Sequence, residues 1–243
     1  MNPSEYEIMA DVEDVHWWYR GLRGLITMYM KQFAEGGKPR ILDVGCGTGA
    51  NVSLMQQYGT VIGLDLSSAA LRLSKSRDLH ALVQGDASSL PYEDTSFDVV
   101  LLMDVLYHRD VPDKSIPLHE VMRVLKSGGI VLLNVPAYPW LMSRHDLAVH
   151  TDQRFFRSSI RSLLEETGFT RSRTTYWNTL LFPIVVLVRM LQVGKESDKS
   201  DLAGYRESAT TSMLESILLF ERVLLRRVSL PFGSSIFAVA RKE

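Results

Sequence analysis

The residues best placed to do chemistry in this 243-residue chain sit in one short run, Asp43-Val44-Gly45-Cys46-Gly47-Thr48-Gly49. Apolar Ile41 and Leu42 precede it, and a helical pattern opens near Gly49. Glycine lets a backbone turn sharply and lets a ligand approach where a Cβ would collide. A helix start adds unpaired N–H groups and the positive end of a dipole. The run is therefore a candidate cradle for a nucleotide-like cofactor. With Ala50 it also satisfies the dinucleotide pattern Gly-x-Gly-x-x-Gly/Ala, so alone it leaves the cofactor ambiguous. Asp65, at the end of the next apolar run, stands where such a cofactor needs a carboxylate for its ribose hydroxyls.

Two further stretches separate the cofactor readings. Gln84-Gly85-Asp86-Ala87 places another acid at a strand end, ahead of Leu90-Pro91-Tyr92-Glu93-Asp94-Thr95-Ser96-Phe97-Asp98. With Arg123-Val124-Leu125-Lys126-Ser127-Gly128-Gly129, these runs resemble the class I S-adenosylmethionine-dependent methyltransferases, in the branch called type 11 or type 12. The resemblance covers roughly residues 11 to 176 and rests on five motifs in order. It implies S-adenosylmethionine as cofactor. Gly45, Gly47 and Gly49, with Cys46 between them, would approach the methionine and ribose of the donor. Asp65 would hold the ribose hydroxyls, Leu66 would pack on the adenine, and Asp86 would read the adenine amino group beside the Ala87 N–H. Met103 and Asp104 would line the donor site. Two other readings compete: an NAD(P)-dependent oxidoreductase, and a methyltransferase fold used as a non-catalytic binding module. Against the first, the chain has no Tyr-x-x-x-Lys pair and Asp86 would have no task. Against the second, the glycines and both acids are intact.

His16-Trp17-Trp18-Tyr19-Arg20, with Arg23 one turn on, is similar to the aromatic lead-in of the same branch. A basic residue there pairs with the donor's carboxylate, and an aromatic face sits near a sulfonium cation. Tyr19 and Arg23 are the candidates, while Trp17 and Trp18 equally anchor a helix on the sheet. The branch often carries arginine where this chain has Leu22.

Methyl transfer is displacement at an already activated carbon, so a protein contributes mainly alignment and exclusion of water. A hydroxyl or protonated amine acceptor also needs a base, and histidine suits that near neutral pH. Two loops beyond strand ends carry histidines: Asp104 to Asp110, with His108, and Asn134 to Trp140, which continues to His145, Asp146 and His150. His108, His145 and His150 are the candidate catalytic residues, each weighed against a loop-stabilising hydrogen bond. No metal is expected, since His145, Asp146 and His150 lack evident further ligands.

These groups need a scaffold, and the apolar pattern supplies one. Strands are expected at Ile41–Val44, Val61–Leu64, Ala81–Gln84, Val99–Met103 and Ile130–Val135, with two more around Arg171–Tyr176 and Ser234–Arg241. Helical patterns start near Gly49, Ser67 and Ile116, the last expected to end at Gly128-Gly129. Others cover Asp11 to Phe33 and Arg157 to Thr167. The expected fold is a single α/β domain, residues 1–243: Rossmann-like, doubly wound, with a mostly parallel seven-stranded sheet and an N-terminal aromatic helix. A helical insertion, residues 178–230, precedes the last strand and holds two apolar patterns around the charged run Lys195 to Asp201. It offers a cap over the site, a homodimer surface or a peripheral membrane contact, and its apolar residues suggest a small-molecule or lipid-like methyl acceptor.

Composition sets the outer bounds. The chain is 46% hydrophobic and 23% charged with formal net charge −1, which gives no basic excess for nucleic acid. The single cysteine, Cys46, excludes an internal disulfide and argues against a thiolate zinc site. Leu180 to Val188, the longest apolar stretch, is far short of the ~20 residues of a membrane-spanning helix. The polar, acidic start reads as no signal peptide, so a cytoplasmic location is expected.

Overall fold

A computed structural model of the chain describes residues 1–33, 37–192 and 205–243. Seven strands form one sheet: β1 (Arg40–Val44), β2 (Thr60–Asp65), β3 (Leu82–Gln84), β4 (Phe97–Met103), β5 (Leu125–Pro136), β6 (Thr170–Trp177) and β7 (Ser235–Arg241). Their order is β3-β2-β1-β4-β5-β7-β6, and β1 to β5 are parallel. β7 runs antiparallel to both of its neighbours, β5 and β6. The expected doubly wound, mostly parallel seven-stranded sheet is the observed one.

Parallel strands buried on both faces read as continuous apolar runs rather than alternating ones. Val99 to Met103 in β4 is such a run, and all five residues are buried. Successive side chains feed opposite layers. Leu42, Val100 and Leu102 join a core covered by α5 (Ser115–Val124) and α7 (Arg157–Glu166). Ile41, Val99 and Leu101 join the other, covered by α2 (Trp17–Phe33), α3 (Ala50–Met55), α4 (Ser68–Lys75) and α9 (Ala209–Leu225).

Two boundaries differ from expectation. The helix expected over Asp11 to Phe33 is two helices, α1 (Pro3–Val12) and α2, separated at residues 13–16. The break is where the chain ties to its surroundings: the Glu13 carbonyl accepts a hydrogen bond from Arg23 at 2.6 Å, and its carboxylate takes the Thr48 hydroxyl. The helix expected to run to Gly128-Gly129 ends at Val124, and β5 begins at Leu125. There Lys242 Nζ donates to the carbonyls of Met122 and Leu125, while the Gly128 N–H donates to the Lys242 carbonyl. This clasp satisfies the carbonyls that a helix C-terminus leaves open, in place of a glycine cap.

Between β6 and β7 lie α8 (Phe182–Gln192) and α9, with α9 along α2. The Lys195 to Asp201 run lies outside the described residues. A 3-10 turn (Pro139–Leu141) and the short α6 (Arg144–Ala148) follow β5. Among the described residues no helix is long and apolar enough to cross a membrane.

Candidate functional site

β2 and β4 flank β1, so the strand order reverses direction there and a crevice forms beyond the carboxyl ends. In this chain the crevice is a cleft of about 830 Å³. The loop after β1 forms its floor. Gly45 and Gly47 have φ of 73° and 54°, and the N–H groups of Gly45 and Cys46 bond the Leu64 carbonyl at 2.7 and 2.9 Å. A Cβ on Gly45 would collide with Val105, and one on Gly47 would lie 2.9 Å from the Met9 methyl. The loop is thus packed from above by α1 and from the side by the β4 loop. Gly49 faces away from the cleft, against Leu79 and Ser74, and turns the chain into α3.

Asp65 ends β2, buried but open to the cleft. One of its oxygens accepts the Gly47 N–H at 2.9 Å and the other the Ser67 N–H at 2.8 Å. Burial pushes its carboxyl up, against the pull of those two N–H groups. Each oxygen keeps a lone pair for a further donor. Leu66 is 53% exposed and, with Asp86 and Ala87, lines the same end of the cleft. Met103 and the buried Cys46 lie deeper in its wall, and burial holds the Cys46 thiol protonated.

α1 and α2 close over this loop end of the cleft. Tyr6, Met9 and Glu13 line it with Tyr19 and Arg23. Arg23 is largely buried and donates to the Glu13 carbonyl, and among the described residues it makes no ion pair. Burial lowers its pKa, against the pull of the nearby Asp14 and Glu13 charges. The Glu13 carboxylate is spent on Thr48 and on Arg77 at 2.7 Å. Beneath the loop, Asp43 is fully buried and neither carboxylate oxygen has a protein partner. Burial first, then Asp65 and Glu13, push its carboxyl up to about 8.

Asp104 sits at the end of β4 with a φ of 58°. Its two oxygens accept from Asn134 Nδ2 at 2.9 and 3.0 Å, and Asn134 Oδ1 accepts from Trp177 Nε1 at 2.8 Å. Trp177 in turn lies 5.3 Å from Trp18, ring to ring. The chain Trp177–Asn134–Asp104 fixes a carboxyl that opens only into the cleft, and burial pushes it up to about 7.

The histidines are placed unequally. His108 lines the cleft, with Nδ1 3.2 Å from the Asp110 backbone N and Nε2 2.8 Å from the Met1 N. Burial, then the Met1 amine, push it down to about 4. The His150 ring lies 5.6 Å from that of His108 but off the cleft wall, engaged by Asn2 at 3.0 Å and Met1 at 3.1 Å. His145 is in α6, and its side chain lies outside the described residues. Asp146 is engaged elsewhere: Arg154 bonds both its oxygens at 2.9 and 3.1 Å, and Ser143 and Arg189 add further bonds.

Beyond Asp104 the wall is mixed, with Asp146, Arg154, Asn178, Arg189 and Ser235 beside the apolar side of α8. Leu181, Ile184, Val185 and Val188 at and along α8 face Trp17 and Leu214 across the opening. Sequence reasoning missed Tyr6, Met9, Asn134 and Trp177. Only the first pair had a local signal: Asn2-Pro3 places a helix N-cap residue ahead of a proline at the first turn.

Residues 42–133 match the family model of the methyltransferase domain. A demethylmenaquinone methyltransferase of Oceanobacillus iheyensis is 43% identical over 123 residues, which is 46% of this chain and 51% of that protein. The chain spans about half the length of the curated relatives it matches. A SAM-dependent methyltransferase from Archaeoglobus fulgidus superposes with a TM-score of 0.57 at 18% identity, over 91% of this chain and 93% of its own. The Haemonchus contortus phosphoethanolamine N-methyltransferase 2, solved with S-adenosyl-L-methionine, gives 0.58 at 21% identity, over 89% and 51%. With the glycine loop, the strand-end acids and the reversed strand order already in place, these matches identify residues 42–133 as a methyltransferase domain on the class I, S-adenosylmethionine-dependent methyltransferase fold.

Proposed function

We propose that the chain is an S-adenosylmethionine-dependent methyltransferase acting by direct displacement on a small, apolar, lipid-like acceptor. One observation carries this reading: a single cleft joins the Gly45–Gly47 loop and Asp65 at one end to the apolar wall of α8 at the other. The site suits the donor on its own chemistry. Arg23 is a largely buried cation on the cleft wall that makes no ion pair among the described residues, suited to the donor's carboxylate, and Tyr19 lines the cleft with it. The Gly45 and Gly47 backbone allows close approach, Asp65 has spare acceptor capacity for vicinal hydroxyls, and exposed Leu66 offers a face to adenine near Asp86 and Ala87.

The donor supplies a methyl group already activated on a sulfonium, so the protein's work is placement, dryness and one proton. Trp17, Trp18 and α8 enclose the acceptor side. Asp104, fixed by Asn134, would take the acceptor's proton as the acceptor atom gains the methyl group that the sulfonium would supply. A carboxyl near 7 is matched to that task at neutral pH, whereas His108, pushed down to about 4, is a weak acceptor. His108 then shapes the wall with His150 behind it.

Calorimetry with S-adenosylhomocysteine tests the donor half. Wild-type protein binds, and Asp65→Ala weakens binding by about 10- to 100-fold, the loss of a charged hydrogen-bond partner of about 1.5–3 kcal/mol. An absence of binding in the wild type overturns the reading.

A further inference from the structure

Twelve of the eighteen exposed large apolar side chains among the described residues fall between Leu180 and Phe232, so exposure is concentrated on one part of the molecule. α8 is the extreme case. Its sequence Phe-Pro-Ile-Val-Val-Leu-Val-Arg-Met-Leu-Gln carries one charge, Arg189, and that charge turns inward to Asp146 and the Leu141 carbonyl. The outward residues are apolar: Ile184, Leu187, Val188 and Met190, the last 68% exposed. A helix apolar on both sides belongs inside a protein or against a nonaqueous phase.

α9 extends the same surface. Thr211, Leu218, Glu221 and Leu225 face inward, while Met213, Leu219, Phe220, Val223 and Leu224 are exposed. The two helices meet where Glu221 accepts the N–H groups of Thr179 and Leu180 at 2.8 and 3.1 Å. Aromatic rings continue the patch: Phe182 lies 5.8 Å from Phe232 and 6.2 Å from Trp140, and Trp140 is 59% exposed. Past the end of α9 come Arg226 and Arg227, both exposed and without an ion pair among the described residues, while Arg222 packs against Gly24 of α2.

We infer that this face, α8 with the outer side of α9 and Trp140, seats the protein on an anionic lipid bilayer with the cleft mouth against the membrane. Apolar and aromatic residues beside exposed arginines are the make-up of an interfacial helix, and among the described residues no helix is long and apolar enough to span. The arginines meet lipid phosphates in a way that a neutral surface cannot match. The cleft supplies the orientation, since Ile184 and Val188 are at once exposed on this face and part of the cleft wall. A second copy seated there would close the entrance, whereas a bilayer opens it to an acceptor dissolved in lipid. The orientation rests on the apolar acceptor proposed above, and the docking itself does not.

Vesicle flotation tests the inference, with phosphatidylcholine vesicles compared with vesicles half phosphatidylglycerol. Wild-type protein floats with the anionic vesicles at least about tenfold more strongly than with neutral ones. Arg226→Glu with Arg227→Glu removes that preference, and Leu187→Ser, Met190→Ser and Phe220→Ser together abolish flotation. These variants keep their affinity for S-adenosylhomocysteine, which also shows that they fold. Failure of the wild type to float, or a triple variant that floats as well as wild type, overturns the inference. So does a wild-type dimer in sedimentation velocity that the triple variant dissociates, because the face would then be a protein interface. Flotation without S-adenosylhomocysteine binding leaves the docking standing and defeats the methyltransferase reading instead.

Discussion

Asp43 offers the sharpest quantitative test, because its carboxyl is fully buried, lacks a protein hydrogen-bond partner and is pushed up to about 8. In the unfolded chain an aspartate titrates near 3.9, so between that value and about 8 the folded state holds a proton that the unfolded state has released. Folding then takes up a proton, and stability falls as pH rises, by roughly 1.4 kcal/mol per pH unit for this one group. Asp43→Asn cannot titrate and is free of that slope. From pH 5 to pH 7 the variant should therefore gain about 3 kcal/mol relative to wild type, whatever its offset at pH 5. For a chain of this size that is a change of about 6–12 °C in the Tm difference. Urea melts of both proteins at pH 5, 6 and 7, with matched thermal scans, measure it. Parallel stability curves refute the reasoning and mean that Asp43 is ionised in the fold, held by donors such as water or loop N–H groups.

Three other outcomes are expected. Asp104→Asn should lower kcat for methylation of an apolar acceptor at least about 100-fold and remove an inflection near pH 7, with S-adenosylhomocysteine affinity nearly unchanged. Gly47→Ala forces a left-handed residue to carry a Cβ against Met9, costing about 1–2 kcal/mol of stability and weakening donor binding. A second change, Met9→Ala, should recover part of the binding, as calorimetry on the pair will show. Asp146→Ala strands Arg154 inside the protein and should cost about 3–5 kcal/mol in urea melts. A loss below 1 kcal/mol there would mean that Arg154 finds another partner.

Where information is local, the sequence was enough. Val99 to Met103 announces a two-sided buried strand, and Gly45 to Gly49 announces the turn, because one short window holds the whole physical cause. Boundaries set by distant residues were not legible. Helix α5 stops at Val124 because Lys242, far along the chain, supplies the bonds that end it. The break between α1 and α2 depends on Thr48 and Arg23 finding Glu13. Chemistry followed the same division. Asp104 stood out as a strand-end acid, but its orientation depends on Asn134 and Trp177, which reach it only once β4, β5 and β6 are assembled. His108 and His150 are both candidates in sequence, and the folded loops put the His108 ring on the cleft wall and the His150 ring behind it.

The sheet order β5-β7-β6 carries a consequence for biosynthesis. β6 leaves the ribosome before β7, the strand it pairs with, because residues 178–234 separate the two. Until β7 arrives, β5 presents an open edge and β6 has nothing to pair with, although β1 to β5 can already assemble in parallel. Late non-local pairing is slow and leaves strand edges exposed. The two most apolar helices, α8 and α9, emerge within that same interval. Insertion of the seventh strand closes the edges of β5 and β6, while the outer sides of α8 and α9 stay exposed in the finished fold.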